Sequence, residues 1–595
     1  MVLKFRVVAD TETFLRTETG HACPEITVER PPPEMDGDIT INCFRLAKPL
    51  GSNPMKLAEM TVRFLEGHAD VSHATQVKAF VNITLERGAV FRDTVADRVA
   101  LVADAAFLPE ADRQRVLVEF SAPNTNKPQH LGHVRNNTIG EATVALLRKV
   151  GHEAIPVNLV NDRGIHICKS MLAYQRYGHG ETPAGAGKKG DHFVGDYYVR
   201  FDNELRRQVA ELKSENPELA DRTSEELFTR TEIGAAAQAM LVAWEQDDPE
   251  VRRLWETMNR WVLEGFGKTY RRMGVRFTKT YLESETFSLG RDIVMRGLKE
   301  GVFHRRDDGA VEIDLSDMKL DRKVVLRSDG TSVYITQDLG TTLLKQHDFE
   351  PDRQIWVVGD EQIYHFRVLF AILRKLGYEW ADQLTHMVYG MVNLPSGRMK
   401  SREGTVVDAD DLFDEMERLA RQATLDRAEE PPEDLDRRAS VIGMAALKFM
   451  LLKVNPKTTL LFDPEASVKF EGDTGPYLLY AYARISSMLR KAGDPAPAGT
   501  VDWGVLGTNE EVDLALRCAD YGSALRKAAE GLDTSPLATY LLDLAKAFSR
   551  FYRECPVLAA PSPEMRLARL ELSRCVQTIL KDGLEAFTIE VLESM

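Results

Sequence analysis

One stretch of this chain restricts its fold more than any other. Val116-Leu117-Val118-Glu119-Phe120 is an apolar run of strand length, Ser121 to Gln129 is polar, and a helical pattern then runs from His130 to about Val150. In that helix Ile139, Ala142, Leu146 and Val150 share one face, Gly151 ends it, and Ile155 to Val160 forms a second apolar strand. Strand, helix and strand at this spacing make a βαβ unit. Such a unit requires a parallel sheet, which binds its ligands at the carboxyl ends of the strands.

The chain around this unit has 595 residues, too many for one hydrophobic core, and should divide into about three to five domains. Residues 1–115 mix short apolar strands, such as Ile39 to Phe44 and Ala79 to Leu85, with a helix near Met55 to Gly67, as a small α+β domain would. The parallel sheet is expected over 116–411. A Gly-rich stretch, Glu181 to Gly190, opens a helical insertion of about 181–280. Gln354 to Gly359 and Met387 to Asn393 then resume the sheet, with a helix near Phe366 to Gly377 between them. The acidic, Pro-rich stretch Glu429 to Leu435 lies early in a helical module over 412–595, broken at Ala492 to Thr500.

Composition mainly excludes. With 44% hydrophobic and 28% charged residues, the chain reads as globular. A formal net charge of −15 argues against non-specific binding to nucleic acid, DNA included, through global charge. It leaves room for a local stripe of Lys and Arg on an RNA-binding face. The six cysteines contain no Cys-x-x-Cys, so buried thiols are expected and no zinc site. The start shows no signal-peptide pattern, and no run reaches the roughly 18 apolar residues of a membrane span; a cytoplasmic protein is expected.

Chemistry concentrates in two loops. His130 and His133 lie one helical turn apart at a helix start, and Gly132 between them lets a ligand approach the backbone. Helix N-terminal amides favour phosphate, and two imidazoles with Lys127 could stabilise charge on a triphosphate attacked at its α-phosphorus. Taken alone, His-x-x-His equally describes solvated histidines, core histidines or two metal ligands. The second loop, Leu394-Pro395-Ser396-Gly397-Arg398-Met399-Lys400-Ser401-Arg402-Glu403-Gly404-Thr405, can hold polyphosphate with its cations and hydroxyls, and alone also describes a solvated turn.

Together the loops resemble the His-Ile-Gly-His and Lys-Met-Ser-Lys-Ser signatures of class I aminoacyl-tRNA synthetases. The resemblance is closest to the arginyl-tRNA synthetase family and spans nearly the whole chain. It is carried also by Ser332-Val333-Tyr334-Ile335-Thr336-Gln337-Asp338-Leu339-Gly340, by Val357 to Phe366, by Phe470 to Tyr477, and by Gly37-Asp38 with Cys43 to Lys48 near the start. It implies a Rossmann-like parallel-sheet catalytic core with an inserted helical domain, a small N-terminal α+β domain and a C-terminal anticodon-binding helical bundle. The implied reaction activates arginine with ATP, as its Mg²⁺ complex, and transfers the arginyl group to tRNA(Arg). A monomer is expected, and bound tRNA is implied to be needed for activation.

The same resemblance places ATP between His130, Gly132, His133 and the loop Met399, Lys400, Ser401 and Arg402, with Gly359 and Asp360 near the ribose. It assigns arginine to Glu119, Asn124, Tyr334, Asp338 and Gln362, with Asp338 as partner of the guanidinium, a planar cation that calls for carboxylates. Arg398 to Arg402 departs from the general motif, with Arg398 at its first lysine and Lys400 at its first serine. In the family a lysine just before the His-x-Gly-His element is thought to compensate, and Lys127 fits that place. Lys127, His130 and His133, with Lys400 and Arg402, are the expected catalytic set. Asn161-Asp162-Arg163-Gly164 resembles the family's Gly-Asp-Trp-Gly but departs at Asn161 and Arg163. Tyr477, Tyr480, Tyr482 and Arg484 are expected to meet tRNA bases, and Arg526, Lys527, Arg550 and Arg553 its phosphates. The alternatives are another HxGH nucleotidyl-transfer enzyme, whose pocket should lack the Tyr334 and Asp338 pair, and a non-enzymatic tRNA-binding paralogue, whose ATP site should be damaged.

Overall fold

A computed structural model describes residues 3–32, 34–96, 101–102, 107–395, 407–427, 430–493 and 501–595. The chain forms two compact units. One comprises Pro109–Gln422 with Met450–Ser467; the other comprises Met1–Leu108, Ala423–Phe449 and Val468–Met595.

The first unit is built on a five-stranded, all-parallel sheet. Its strands lie in the order Leu384–Tyr389, Arg353–Gly359, Arg115–Glu119, Glu153–Val160, Lys279–Leu282. The chain therefore starts at the centre, steps to one edge, and returns to fill the other side. This puts a topological switch between Arg115–Glu119 and Arg353–Gly359, where a crevice opens at the carboxyl ends of the strands. The three central strands are Val- and Ile-rich because helices cover both faces. Helix Leu131–Lys149 connects the first two strands, and Gly140 is required there: a Cβ would collide with the Phe120 ring.

Helices Gly190–Glu215, Glu232–Glu245 and Pro249–Met273 stand between the second and third strands. They share an apolar core with Ile167, Met171, Phe193, Phe201, Ile233 and Phe266. A three-stranded antiparallel sheet, Lys323–Leu326, Val311–Ile313 and His304–Arg305, was not expected from the sequence. The expected strand Met387 to Asn393 is in fact two. Leu384–Tyr389 ends before Gly390, and Val392–Asn393 pairs with Leu460–Leu461.

The second unit contains a four-stranded antiparallel sheet in the order Val28–Glu29, Ile39–Asn42, Phe80–Leu85, Val71–Val77. It also holds the helices Leu435–Leu452 (in part), Gly475–Ala492, Asn509–Ala519, Tyr521–Gly531, Ser535–Glu554 and Pro563–Ala586. Cys43 and Phe44 do not extend a strand. Asn42 accepts from the Phe44 amide and caps a short helix, Cys43–Ala47. Helix Leu3–Thr19 escaped the sequence reading because its buried stripe, Val7, Thr11 and Leu15, carries a polar residue whose hydroxyl is satisfied by Val7 O at 2.7 Å. All six cysteines are free, and all but Cys23 are buried.

Candidate active site

The loop after strand Arg115–Glu119 is strained and firmly held. Ser121 and Ala122 both adopt positive φ (82° and 47°), which is costly for residues with a Cβ. Three polar side chains from other elements fix them. Asn136 Oδ1 accepts the Ser121 amide (2.5 Å), Asn158 Oδ1 accepts the Ala122 amide (3.0 Å), and the Tyr270 hydroxyl meets Ser121 Oγ (2.7 Å). Further along, Thr125 N–H donates to Asn161 O (3.1 Å) and Asn161 N–H to Pro123 O (2.9 Å), so Asn161 continues the sheet edge beside Asn124.

His130 is the N-cap of the following helix, not its first turn. The Gly132 amide donates to His130 Nδ1 (3.1 Å), and the His130 amide donates to His133 Nδ1 (3.2 Å). Both Nδ1 atoms are thus acceptors, so each neutral ring carries its proton on Nε2. Burial, with Lys127 adding, holds the His130 pKa down at about 4. Burial, then His130 and Lys127, holds His133 well below the ordinary histidine value. At neutral pH this helix start therefore offers two uncharged N–H donors, and Lys127 supplies the charge. Gly132 is needed for this geometry, since a Cβ would lie 2.9 Å from the His130 ring. The fully buried Arg135, a few residues on, donates to Met391 O (2.6 Å), Pro456 O (3.0 Å) and Thr458 O (2.7 Å). It fastens the helix to the backbone leading into the second loop.

The acidic residues gather at the same edge of the sheet. Asp338, on helix Tyr334–Phe349, lies 2.5 Å from His365 Nε2, and His365 follows the carboxyl end of strand Arg353–Gly359. Glu283 follows the carboxyl end of strand Lys279–Leu282. Burial pushes its carboxyl up to about 7, Arg163 opposing and Asp162 and Asp338 reinforcing the shift. Because the strands are parallel, their carboxyl ends share one side of the sheet with the His130 loop. Glu283 was missed by the sequence reading. Its only local signal was an acidic residue just past a short strand, which thousands of surface turns share. Asp162, whose stretch had no clear role, is buried: it accepts from Ser284 N (2.8 Å) and Oγ (2.7 Å), fixing the turn that carries Glu283.

Glu119 is buried and its carboxylate is ion-paired with Lys345, so it is not a free acceptor. Tyr334 stands one turn before Asp338 with 79% of its surface exposed. Asn124 and Gln362 are exposed. Gly359 ends its strand, and Asp360 opens the turn Asp360–Gln362. Met399, Lys400, Ser401 and Arg402 lie outside the described residues.

Comparison with known proteins decides the family. The chain matches the tRNA synthetases class I (R) catalytic domain over residues 98–463, the arginyl tRNA synthetase N terminal domain over 10–85 and the DALR anticodon binding domain over 478–595. It is 41% identical to an arginine–tRNA ligase of Bacteroides fragilis, covering 100% of both chains. It is also 41% identical to one of Treponema denticola, covering 99% of this chain and 98% of that one. The chain belongs to the arginyl-tRNA synthetase family. Among solved structures it resembles the Thermus thermophilus arginyl-tRNA synthetase, with TM-score 0.82 and 28% identity over 99% of this chain and 100% of that one. It is therefore a class I aminoacyl-tRNA synthetase with the family's N-terminal and anticodon-binding modules.

In the other unit, helix Gly475–Ala492 carries the residues expected to meet tRNA. Arg484 lies 4.6 Å above the Tyr480 ring and donates to its hydroxyl (2.9 Å). With Tyr477, Arg427 and Phe470 they line a cavity of about 230 Å³. Tyr482 is a correction: it is buried, and its hydroxyl donates to Glu593 (2.9 Å), which removes it from any exposed stacking surface. Arg550 and Arg553 are paired with Asp513 and Glu554. No helix among the described residues is long and apolar enough to cross a membrane.

Proposed function

We propose that this chain activates L-arginine with ATP and esterifies it to tRNA(Arg) in the pocket bounded by His130, His133, Asp338 and Glu283. What supports this reading is that the two Nε2–H donors start the helix after one strand of the parallel sheet, while Glu283 and His365, the partner of Asp338, follow the carboxyl ends of two others. The arginine carboxylate attacks the α-phosphorus of ATP, pyrophosphate leaves, and the terminal ribose hydroxyl of the tRNA then attacks the arginyl-adenylate carbonyl. His130, His133 and Lys127 stabilise charge on the triphosphate, while Asp338 and Glu283 hold the guanidinium fork. Tyr334, Asn124 and Gln362 border the substrate, and Glu119 acts from beneath through Lys345. Gly359 and Asp360 face the ribose, and Lys400 and Arg402 contact phosphates. Mg²⁺ enters with ATP, held by few protein ligands; zinc has no part.

Tyr477, Tyr480 and Arg484 offer a ring and a cation to an unstacked tRNA base. The protein acts in the cytoplasm as a monomer, without DNA or membrane partners. The reading is tested by ATP–pyrophosphate exchange with each of the twenty amino acids, with and without total tRNA. Arginine alone should support exchange; exchange with lysine or glutamate in its place would overturn the assignment.

Glu283 gives this pocket a pH signature. A carboxyl titrating at about 7 is partly protonated in the empty site and must be ionised to pair with a guanidinium. Arginine should therefore bind more tightly as pH rises through this range, seen as a falling KM for arginine at constant ATP. In Glu283→Gln that pH limb should vanish and arginine KM should rise about tenfold or more. An unaltered pH profile in this variant would remove Glu283 from the pocket.

A further inference from the structure

The chain returning from the second loop carries an ion network that the reading above leaves unused. Its residues 407–409 run antiparallel to Gln129–Leu131. The Leu131 amide donates to Val407 O (2.9 Å) and the Ala409 amide to Gln129 O (2.9 Å), with His130 opposite Asp408. The backbone of the N-cap histidine is thus pinned by a segment nearly 280 positions away in sequence, an offset no local pattern encodes.

That segment is itself anchored by Asp410. The Asp410 carboxylate accepts from Lys189 Nζ (2.5 Å), His192 Nε2 (3.3 Å) and Thr269 Oγ1 (3.3 Å), and Arg272 lies 3.5 Å away. Lys189 also donates to Thr269 Oγ1 (2.6 Å) and to the fully buried Asp191 (2.9 Å). Asp191, His192 and Asp410 resemble a metal-ligand set, but the Lys189 ammonium already bridges the two carboxylates and supplies the positive charge that an ion would bring. Against the opposing cost of burial, His192 and Lys189 hold the Asp410 carboxyl far below the usual range, so it is ionised at working pH. Lys189 and His192 belong to the start of the inserted helices, Asp410 to the start of helix Ala409–Leu425. The network ties the insertion to the histidine loop.

We propose that Asp410 is a positioning residue for adenylate formation: clasped by Lys189 and His192, it holds residues 407–409 against Gln129–Leu131 and so sets where His130 and His133 present their Nε2 protons. Displacing such donors by about 1 Å costs roughly a hundredfold in rate. The inference rests on the proposed role of these histidines as phosphate donors.

The test is tRNA-dependent ATP–pyrophosphate exchange by the full chain carrying Asp410→Asn, Lys189→Met, or both, with His130→Ala beside them. Circular dichroism fixes a temperature at which every variant is folded. Asp410→Asn should lower kcat about 10- to 100-fold while arginine KM stays within about twofold. Lys189→Met removes the same clasp and also strips the cation from buried Asp191, so the double variant should match Lys189→Met alone and fall well short of the product of the two single losses. Wild-type kcat in folded Asp410→Asn, or an arginine KM that rises as far as kcat falls, would overturn the positioning role. If His130→Ala is inactive while Asp410→Asn is unaffected, only this inference fails; if His130→Ala exchanges normally, the donor reading fails and takes the inference with it.

Discussion

Asp338→Ala should lower kcat/KM for arginine by about 30- to 150-fold and leave the KM for ATP within about twofold. Truncating one partner of a hydrogen-bonded charge pair costs roughly 2–5 kcal/mol. Asp338 is about one-third exposed, so solvent screening places the loss near the lower end, roughly 2–3 kcal/mol. Its removal strips one carboxylate from the guanidinium and leaves His365 without its 2.5 Å partner. Glu283 remains and keeps residual arginine use above background. Steady-state exchange kinetics with varied arginine, then varied ATP, separate the two effects. Unchanged arginine kinetics would show that the guanidinium pocket lies elsewhere.

His130→Ala should cut kcat for pyrophosphate exchange by roughly 10²- to 10³-fold, the usual cost of removing one preorganised donor from a developing anion. His133→Ala should do the same, and the double variant should be far from additive because the two donors serve one charge. His130→Ala also exposes the Gly132 amide it caps, a separate stability loss of about 1 kcal/mol that thermal melting would register. Because His130 titrates at about 4 and burial holds His133 well below the ordinary histidine value, neither should create a pH limb in the neutral range. A kcat limb near pH 6.5 that disappears in His130→Ala would show that the working form is imidazolium, contrary to the tautomers inferred from the two amide donors.

The sequence and the structure meet unevenly. The βαβ unit, its helix start at His130 and the later strand Arg353–Gly359 were legible because each is a local event: an apolar run, a 3.6-residue period, a glycine stop. The arginine role expected of Asp338 rests on resemblance alone, since a carboxylate on a helix face carries no mark of what will stand opposite. Glu283 was not legible at all. Its place depends on Asp162, from the loop after another strand, which fixes its turn, and on burial, which shifts its carboxyl. Tyr482 shows the reverse error. It sits in an aromatic-rich helix beside Tyr480, yet helical geometry turns it inward to Glu593.

By itself the amino-acid order determined the alternation of strand and helix, the parallel sheet that follows from it, and the residue types available to a nucleotide at the first loop. Tertiary structure alone decided that burial shifts the Glu283 carboxyl, that Glu119 is paired with Lys345, and that Asp410 pairs with Lys189 at the start of the inserted helices. The reason is physical. Secondary structure depends on neighbours a few residues apart, whereas charge, burial and hydrogen bonding at a parallel-sheet edge depend on strand ends brought together from distant parts of the chain.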